Sequence, residues 1–69
     1  MKGDEIRKVE AYLKKVMKGS DVEVRAMPRK QDTAEVFLGG EFAGLISKDT
    51  DEGELSYHFT MTILDIDLE

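Results

Sequence analysis

The only histidine of the chain, His58, is the residue best suited to acid–base chemistry, because imidazole is the side-chain type whose unperturbed pKa is near neutral. Ser56 and Thr60 flank it at alternate positions, so hydroxyls and an imidazole would share one face of a strand, an arrangement that resembles a nucleophile with its base. Side chains two positions apart on a strand are separated by about 7 Å, which is too far for a Ser–His hydrogen bond without unusual rotamers. No carboxylate behind the histidine is identifiable in the sequence. We therefore predict no catalytic residues and no enzymatic activity.

The acidic segment from Asp49 to Glu54 shares one feature with calcium-binding loops, since Asp49 and Asp51 stand at alternate positions before a glycine. An EF-hand loop has a glycine at its sixth position and a bidentate glutamate at its twelfth. Counted from Asp49, however, Gly53 is the fifth residue and Thr60 the twelfth. The spacing favours a solvated turn between two strands, with weak divalent-ion binding as the alternative.

A second acidic group, Asp65, Asp67 and Glu69, would lie on one face if the last strand continued to the end of the chain. Carboxylates at that spacing can bind a metal ion or act as an acid–base pair. At an exposed chain end, such charges more often keep an edge strand from pairing with other edges. We favour the second interpretation, and we predict no metal site and no cofactor.

Basic residues are concentrated near the N-terminus, at spacings that place them on one side of a predicted helix. At about 100° per residue, Arg7, Lys14 and Lys18 fall within about 40° of one another, and Lys15 and Lys8 extend the same side. Cations in this arrangement could neutralise the phosphates of RNA or attract an acidic protein partner. The candidate partner-binding residues are therefore Arg7, Lys14, Lys15 and Lys18.

Two further features bear on the choice between these partners. Arg25, Arg29 and Lys30 could enlarge the basic patch, whereas a Glu10–Lys14 pair would balance part of it, as on an ordinary solvated face. RNA-binding modules usually add exposed aromatic side chains for stacking or a glycine-rich clamp, and neither is evident here. We therefore place nucleic-acid binding second to protein binding.

Charge is divided unevenly along the sequence. Residues 1–30 contain nine of the ten Lys and Arg residues and five acids, a balance of +4. Residues 31–69 contain Lys48 and ten acids, a balance of −9, and the two parts give the net charge of −5. Local fields steer association even where the net charge suggests otherwise, so this asymmetry is a cue about the charge of a partner.

The element that would present the basic residues is a helix over residues 4–18. Asp4 is its expected N-cap, and Gly19 its expected C-terminal stop, because glycine adopts positive φ without strain. The apolar residues follow helical spacing and form one stripe for burial. They are Ile6, Val9, Leu13, Val16 and Met17, with Tyr12 on the margin.

Beyond residue 21 the apolar period changes from 3.6 to 2, which predicts strands. Pro28 should end the first strand, and Gly39-Gly40 should form a tight hairpin turn. We expect an α+β fold of one domain, residues 1–69, in which the helix packs on an antiparallel sheet of three to four strands in α-β-β-β-β order. The predicted strands cover about 22–27, 34–38, 42–46 and 55–64.

The hairpin can adopt two registers, and both leave apolar side chains on each face of the sheet. A two-residue turn places Phe37 opposite Phe42, whereas a three-residue turn leaves Phe37, Ala43 and Leu45 on the face away from Phe42. One helix covers one face only, so the other face needs a cover. A second copy of the chain is the simplest one, and the candidate dimer interface comprises Phe37, Phe42 and Leu45.

Length and composition agree with self-association. A chain of 69 residues buries only about 60% of its unfolded surface, and domains this short often rely on disulfides, metals or a second subunit. Cysteine is absent, so disulfides and thiolate zinc sites are excluded, and with one histidine we expect no conventional His-based zinc site within one chain. With no apolar run near the roughly 20 residues that span a bilayer and no signal-peptide pattern, we expect a cytoplasmic protein without membrane contact.

Short motifs along nearly the whole chain carry a resemblance to a known family. They are Asp4-Glu5-Ile6, Lys8-Val9-Glu10, Ala34-Glu35-Val36, Glu41-Phe42 with Gly44, the turn from Asp49 to Glu54, Ser56-Tyr57, Phe59, Met61 and the segment from Ile63 to Leu68. The sequence resembles a family of short alphaproteobacterial proteins defined only as a domain of unknown function. The resemblance implies a bacterial cytoplasmic protein of one domain, and it supplies no catalytic residues.

Taken together, these features predict a small non-catalytic protein–protein interaction module that forms a homodimer. The alternative is an RNA-binding protein that uses the basic helix face.

Overall fold

The chain forms one N-terminal helix followed by four strands, and the computed structural model describes residues 1–19, 21–51 and 53–68. The strands form one antiparallel sheet in the order β1-β2-β3-β4, so the predicted α+β fold and its α-β-β-β-β order are confirmed. The elements are α1 (Gly3–Val16), β1 (Val22–Met27), β2 (Lys30–Leu38), β3 (Glu41–Asp49), β4 (Ser56–Met61) and a short 3₁₀ helix (Asp65–Leu68).

Helix α1 begins one residue earlier and ends two residues earlier than predicted. Lys2, in an extended conformation, occupies the N-cap position without a side-chain cap, so the assignment of Asp4 as the N-cap was wrong. Asp4 lies instead in the first turn, where the positive end of the helix dipole stabilises its negative charge. Gly19 adopts a φ of 81°, the left-handed conformation predicted for it, and Lys18 lies beyond the helix.

The core lies between α1 and one face of the sheet. Its buried residues are Leu13 of the helix and, from the first three strands, Val22, Val24, Ala34, Val36 and Ile46. Because α1 packs mainly against β1, the apolar stripe of the helix is only partly covered. Val16, predicted to be buried, is 53% exposed.

The β2–β3 hairpin combines the two registers that the sequence leaves open. Gly39 and Gly40 both have positive φ and form a two-residue turn, which places Phe37 opposite Phe42. A bulge then inserts one extra residue, Ala43, so that Val36 faces Gly44 rather than Ala43. As a result Ile46 joins Val36 in the core, and Leu45 shares the opposite face with Phe37.

Strands β2 and β3 are longer than predicted. The polar run that begins at Lys30 belongs to β2, and Thr33 pairs with Ser47 on β3, which extends the sheet beyond the expected turn. The connection between β1 and β2 is correspondingly short, consisting of Pro28 and Arg29.

Strand β4 ends at Met61, so the strand predicted for residues 55–64 is too long by one residue at its start and three at its end. The chain then turns, and the Leu64 N–H donates to Asp67 Oδ2 at 3.2 Å. Because a 3₁₀ helix replaces the extended strand, Asp65 and Asp67 do not share a strand face, and Glu69 lies outside the described residues. The exposed apolar residues of this C-terminal segment are Ile63, Leu64, Ile66 and Leu68.

Candidate interaction surfaces

An apolar groove of about 480 Å³ runs between α1 and the β3–β4 side of the sheet. It exists because the helix packs against the opposite side of the sheet, over β1. Its walls are mostly apolar side chains, namely Val9, Tyr12, Leu13, Ile46, Tyr57 and Phe59, and Glu5 and Lys8 lie at its margin. Tyr12 forms an outer lip and is 63% exposed. Helical spacing predicts Tyr12 at the margin of the apolar stripe, but the sequence carries no signal for the groove.

A polar cluster closes one end of this groove. The Tyr57 hydroxyl donates a short hydrogen bond to Glu5 Oε2, and Lys48 Nζ lies 2.9 Å from the same oxygen. The hydrogen bond from Tyr57, reinforced by Lys48, lowers the pKa of Glu5 from 4.5 to about 2. The same bond raises the pKa of Tyr57, and the hydrogen bond to Glu5 raises the pKa of Lys48. The cluster therefore joins the first turn of α1 to β3 and β4.

The free edge of β1 is blocked by the helix. Val24 of β1 lies opposite Val36 of β2. Its backbone N–H nevertheless points away from the sheet and donates to Glu10 Oε2 at 2.9 Å. Glu10 also lies 3.5 Å from Lys14 Nζ, the pair predicted from their spacing. A side chain that occupies an edge N–H prevents another strand from pairing there.

The opposite edge of the sheet, β4, has a different character. Its six residues pair with β3 only, so alternate N–H and C=O groups point away from the sheet. The strand, Ser56 to Met61, contains no Lys, Arg, Asp, Glu or Pro, and it includes β-favouring Tyr, Phe and Thr. Charged residues and proline are the usual means by which an edge strand resists pairing, and this strand has none of them.

The sheet face turned away from α1, here called the open face, carries the candidate interface residues Phe37, Phe42 and Leu45. Phe37 and Phe42 make an edge-to-face contact with ring centroids 5.8 Å apart. Phe37 and Leu45 are partly buried, whereas Phe42 is exposed. Arg25 lies over the Phe37 ring at 4.2 Å and binds Glu23 through two hydrogen bonds, so part of this face is covered by the chain itself.

The predicted basic face is only partly formed. Arg7, Lys14 and Lys15 are exposed on α1, but Lys18 lies after the helix and does not continue the stripe. Arg25 does not enlarge the patch, because it lies on the open face, on the other side of the sheet from α1. The helix ends at Val16, and its C-cap residue Met17 has non-helical φ and ψ angles of −105° and 64°.

His58 has neighbours that the sequence analysis did not anticipate. Ser56 Oγ and Asp49 Oδ2 each lie 3.4 Å from His58 Nε2, so the expected separation of serine and histidine and the lack of a nearby carboxylate were both wrong. Tertiary pairing of β3 with β4 brings Asp49 opposite Ser56. A catalytic histidine needs one ring nitrogen toward the nucleophile and the other toward the carboxylate, whereas here both partners contact the same nitrogen. The group is also exposed.

The acidic connection between β3 and β4 contains a local turn, in which the Asp51 N–H donates to Asp49 Oδ1 at 2.8 Å. Glu52, part of the predicted acidic segment, lies outside the described residues. Among the residues that the structure describes, no group of three or more His, Cys, Asp or Glu side chains is positioned to hold a metal ion. Within the same residues, no helix has the length and apolarity needed to cross a membrane.

Comparison with known proteins adds a family to this geometry. A family model described as a protein of unknown function, DUF3126, matches residues 5–67. The chain belongs to this family. The match begins at Glu5, the helix residue that accepts the hydrogen bond from Tyr57, and it ends within the C-terminal 3₁₀ helix. It therefore includes the groove and both sheet edges. No curated protein and no solved structure matches the chain.

Proposed function

We propose that the chain is a small non-catalytic protein–protein interaction module that acts in the cytoplasm as a homodimer. The observation that supports this proposal is that the chain exposes more solvent-accessible surface than a compact monomer of its mass. The chain exposes 5589 Å², whereas a compact monomer of its 7.8 kDa is expected to expose about 4,400 Å². The excess, about 1,200 Å², is larger than the roughly 800 Å² that each partner buries in a standard interface.

The shape of the chain agrees with its surface area. Its radius of gyration is 12.6 Å, compared with about 11 Å for a compact domain of this length. Large apolar side chains are exposed on the helix, on the open face and in the C-terminal segment. An association that covers such side chains would supply stability that the thin core lacks.

Two apolar surfaces are available for contact with a second copy. One is the open face with Phe37, Phe42 and Leu45, and the other is the groove with the adjoining edge of β4. The basic residues Arg7, Lys14 and Lys15 lie on the outer side of the helix, where they could attract an acidic protein partner without competing for either surface.

RNA binding is the second candidate, and the exposure of Arg7, Lys14 and Lys15 on one helix is the observation that favours it. The case for RNA binding is weaker than the sequence suggests, because Lys18 and Arg25 do not belong to that patch. We therefore keep self-association and protein binding as the proposed function.

The experiment that tests the proposal is sedimentation equilibrium of the wild-type protein from low to high micromolar concentration. We expect the mean mass to rise from 7.8 kDa toward twice that value. A constant 7.8 kDa species up to tens of micromolar would contradict the proposal.

A further inference from the structure

We propose that two copies of the chain pair through the edge strand β4, antiparallel about a two-fold axis, so that the two four-stranded sheets become one. In this dimer the grooves beside β4 meet across the axis and cover each other. The inference rests on the proposed homodimer, and it assigns the interface to β4 and the groove rather than to the open face.

The two sheet edges differ in what blocks them. On β1 the outward N–H of Val24 is occupied by Glu10, and the strand carries the charged residues Glu23 and Arg25. On β4, the strand itself contains no charged side chain that could occupy the backbone N–H and C=O groups of the free edge. Its six residues carry no formal charge while His58 is neutral. A sheet with one open edge and one blocked edge closes as a dimer, because the pair has no second open edge from which a fibre could grow.

The groove adds apolar side chains to the backbone groups that the β4 edge offers for pairing. Tyr57 and Phe59 of β4 form its floor, and Tyr12 of α1 forms its lip on the same side. Apolar residues beside a pairing strand give the contact the buried anchors that dominate interface energetics. A volume of about 480 Å³ is large compared with the roughly 150 Å³ that holds one benzene ring, so the groove can receive apolar side chains from a partner.

A second copy is the occupant that these features fit. Antiparallel pairing of β4 with itself is isologous, so each copy offers and receives the same surface. The chain has a net charge of −5, and a contact through an uncharged strand avoids placing like charges directly opposite each other. Added salt should strengthen the dimer, because it screens the remaining repulsion between the two copies.

A matched pair of substitutions tests the assignment. Tyr12→Glu and Phe42→Glu each replace an exposed aromatic side chain by a charge, the first at the groove and the second on the open face. By sedimentation equilibrium, we expect Tyr12→Glu to raise the dimer dissociation constant by about tenfold or more, and Phe42→Glu to leave it within about twofold. Thr60→Lys, which puts a lysine on the edge strand itself, should act like Tyr12→Glu. Circular dichroism and thermal unfolding verify that each variant is folded.

Other outcomes overturn the inference in distinguishable ways. If Phe42→Glu dissociates the dimer and Tyr12→Glu does not, the interface is the open face, and the proposed function stands without the β4 pairing. Thr60→Lys does not separate these two cases, because Thr60 lies on the open face opposite Leu45. Equal loss in all three folded variants, or no loss in any, also contradicts β4 pairing. A wild-type protein that remains monomeric removes both the inference and the proposed function.

Discussion

Tyr57 on β4 donates a hydrogen bond to Glu5 on the first turn of α1, across 52 positions of sequence. Lys48 on β3 lies 2.9 Å from the same carboxylate oxygen, so one acidic side chain connects three elements. This contact fixes the helix start beside β4, while the rest of the helix packs over β1. The groove is the space that these two attachments leave between them.

The Glu5 cluster predicts a specific dependence of stability on pH. Because the folded state lowers the pKa of Glu5 from 4.5 to about 2, its contribution is fully present above pH 4.5 and is lost as the pH falls toward 2. The raised pKa of Tyr57 has the opposite sign, so the stability that Tyr57 contributes is present below pH 10, its usual pKa, and is lost at higher pH.

Urea titrations across the acid range test the role of Glu5. Glu5→Gln should reduce the fall in unfolding free energy between pH 4.5 and 2 and so flatten the acid limb of the stability profile. Tyr57→Phe should do so as well, because Tyr57 is the main cause of the lowered pKa. Identical acid limbs in wild type and both variants would show that the cluster does not form in solution.

Gly44 should tolerate no side chain. An added Cβ would lie 2.1 Å from the Thr60 carbonyl oxygen and 2.9 Å from Phe59 Cε1, so β4 would have to move away from β3. We expect Gly44→Ala to lower the free energy of unfolding by about 1–3 kcal/mol, as overpacking of a close contact does. The matched control is Gly3→Ala, where an added Cβ meets nothing within 4 Å. Equal stability of the two variants in chemical denaturation would contradict the close approach.

Glu10 should protect the β1 edge. Glu10→Ala leaves the Val24 N–H without its partner, and we expect a loss of about 0.5–1.5 kcal/mol in unfolding free energy. Freed from this side chain, β1 becomes a second open edge, so light scattering should show species larger than a dimer at high concentration. Glu10→Gln retains an acceptor oxygen and serves as the control. If Glu10→Ala assembles no further than Glu10→Gln, the edge is protected by something else.

The sequence predicts the fold well where the signal is local. Helical spacing identifies α1, alternation identifies β1, and Gly39-Gly40 identifies the tight turn, because each depends on neighbouring residues only. The Ala43 bulge has no comparable signal, since alanine suits either face of a strand. That single insertion decides which apolar residues of β3 enter the core.

The candidate sites were less predictable, because they depend on contacts between distant residues. Ser56 and Asp49 approach His58 only after β3 and β4 pair, and Glu10 reaches Val24 only after α1 packs on β1. The position of Glu5 facing Tyr57 likewise follows from helix packing. The one usable sequence signal was the lack of charge in residues 56–61, flanked by acidic segments on both sides.

Salt separates protein binding from RNA binding. If the basic helix face binds single-stranded RNA, the logarithm of affinity should fall with the logarithm of salt concentration by about 0.7 per neutralised phosphate. We expect no tight binding of fluorescent single-stranded RNA at tens of micromolar, since Lys18 and Arg25 do not extend the helix patch. Tight, salt-sensitive binding that the Lys14→Glu, Lys15→Glu double variant loses would favour the RNA alternative.

The most direct test of pairing through β4 is amide hydrogen exchange of Ser56 to Met61 as a function of protein concentration. In an isolated chain, alternate amides of an edge strand face solvent and exchange rapidly, whereas the amides between them bond to β3. Pairing with a second copy protects both sets. We predict that the alternate amides are protected at high concentration and lose that protection on dilution below the dimer dissociation constant. If they exchange at the same rapid rate at every concentration at which the protein is dimeric, β4 is not the interface.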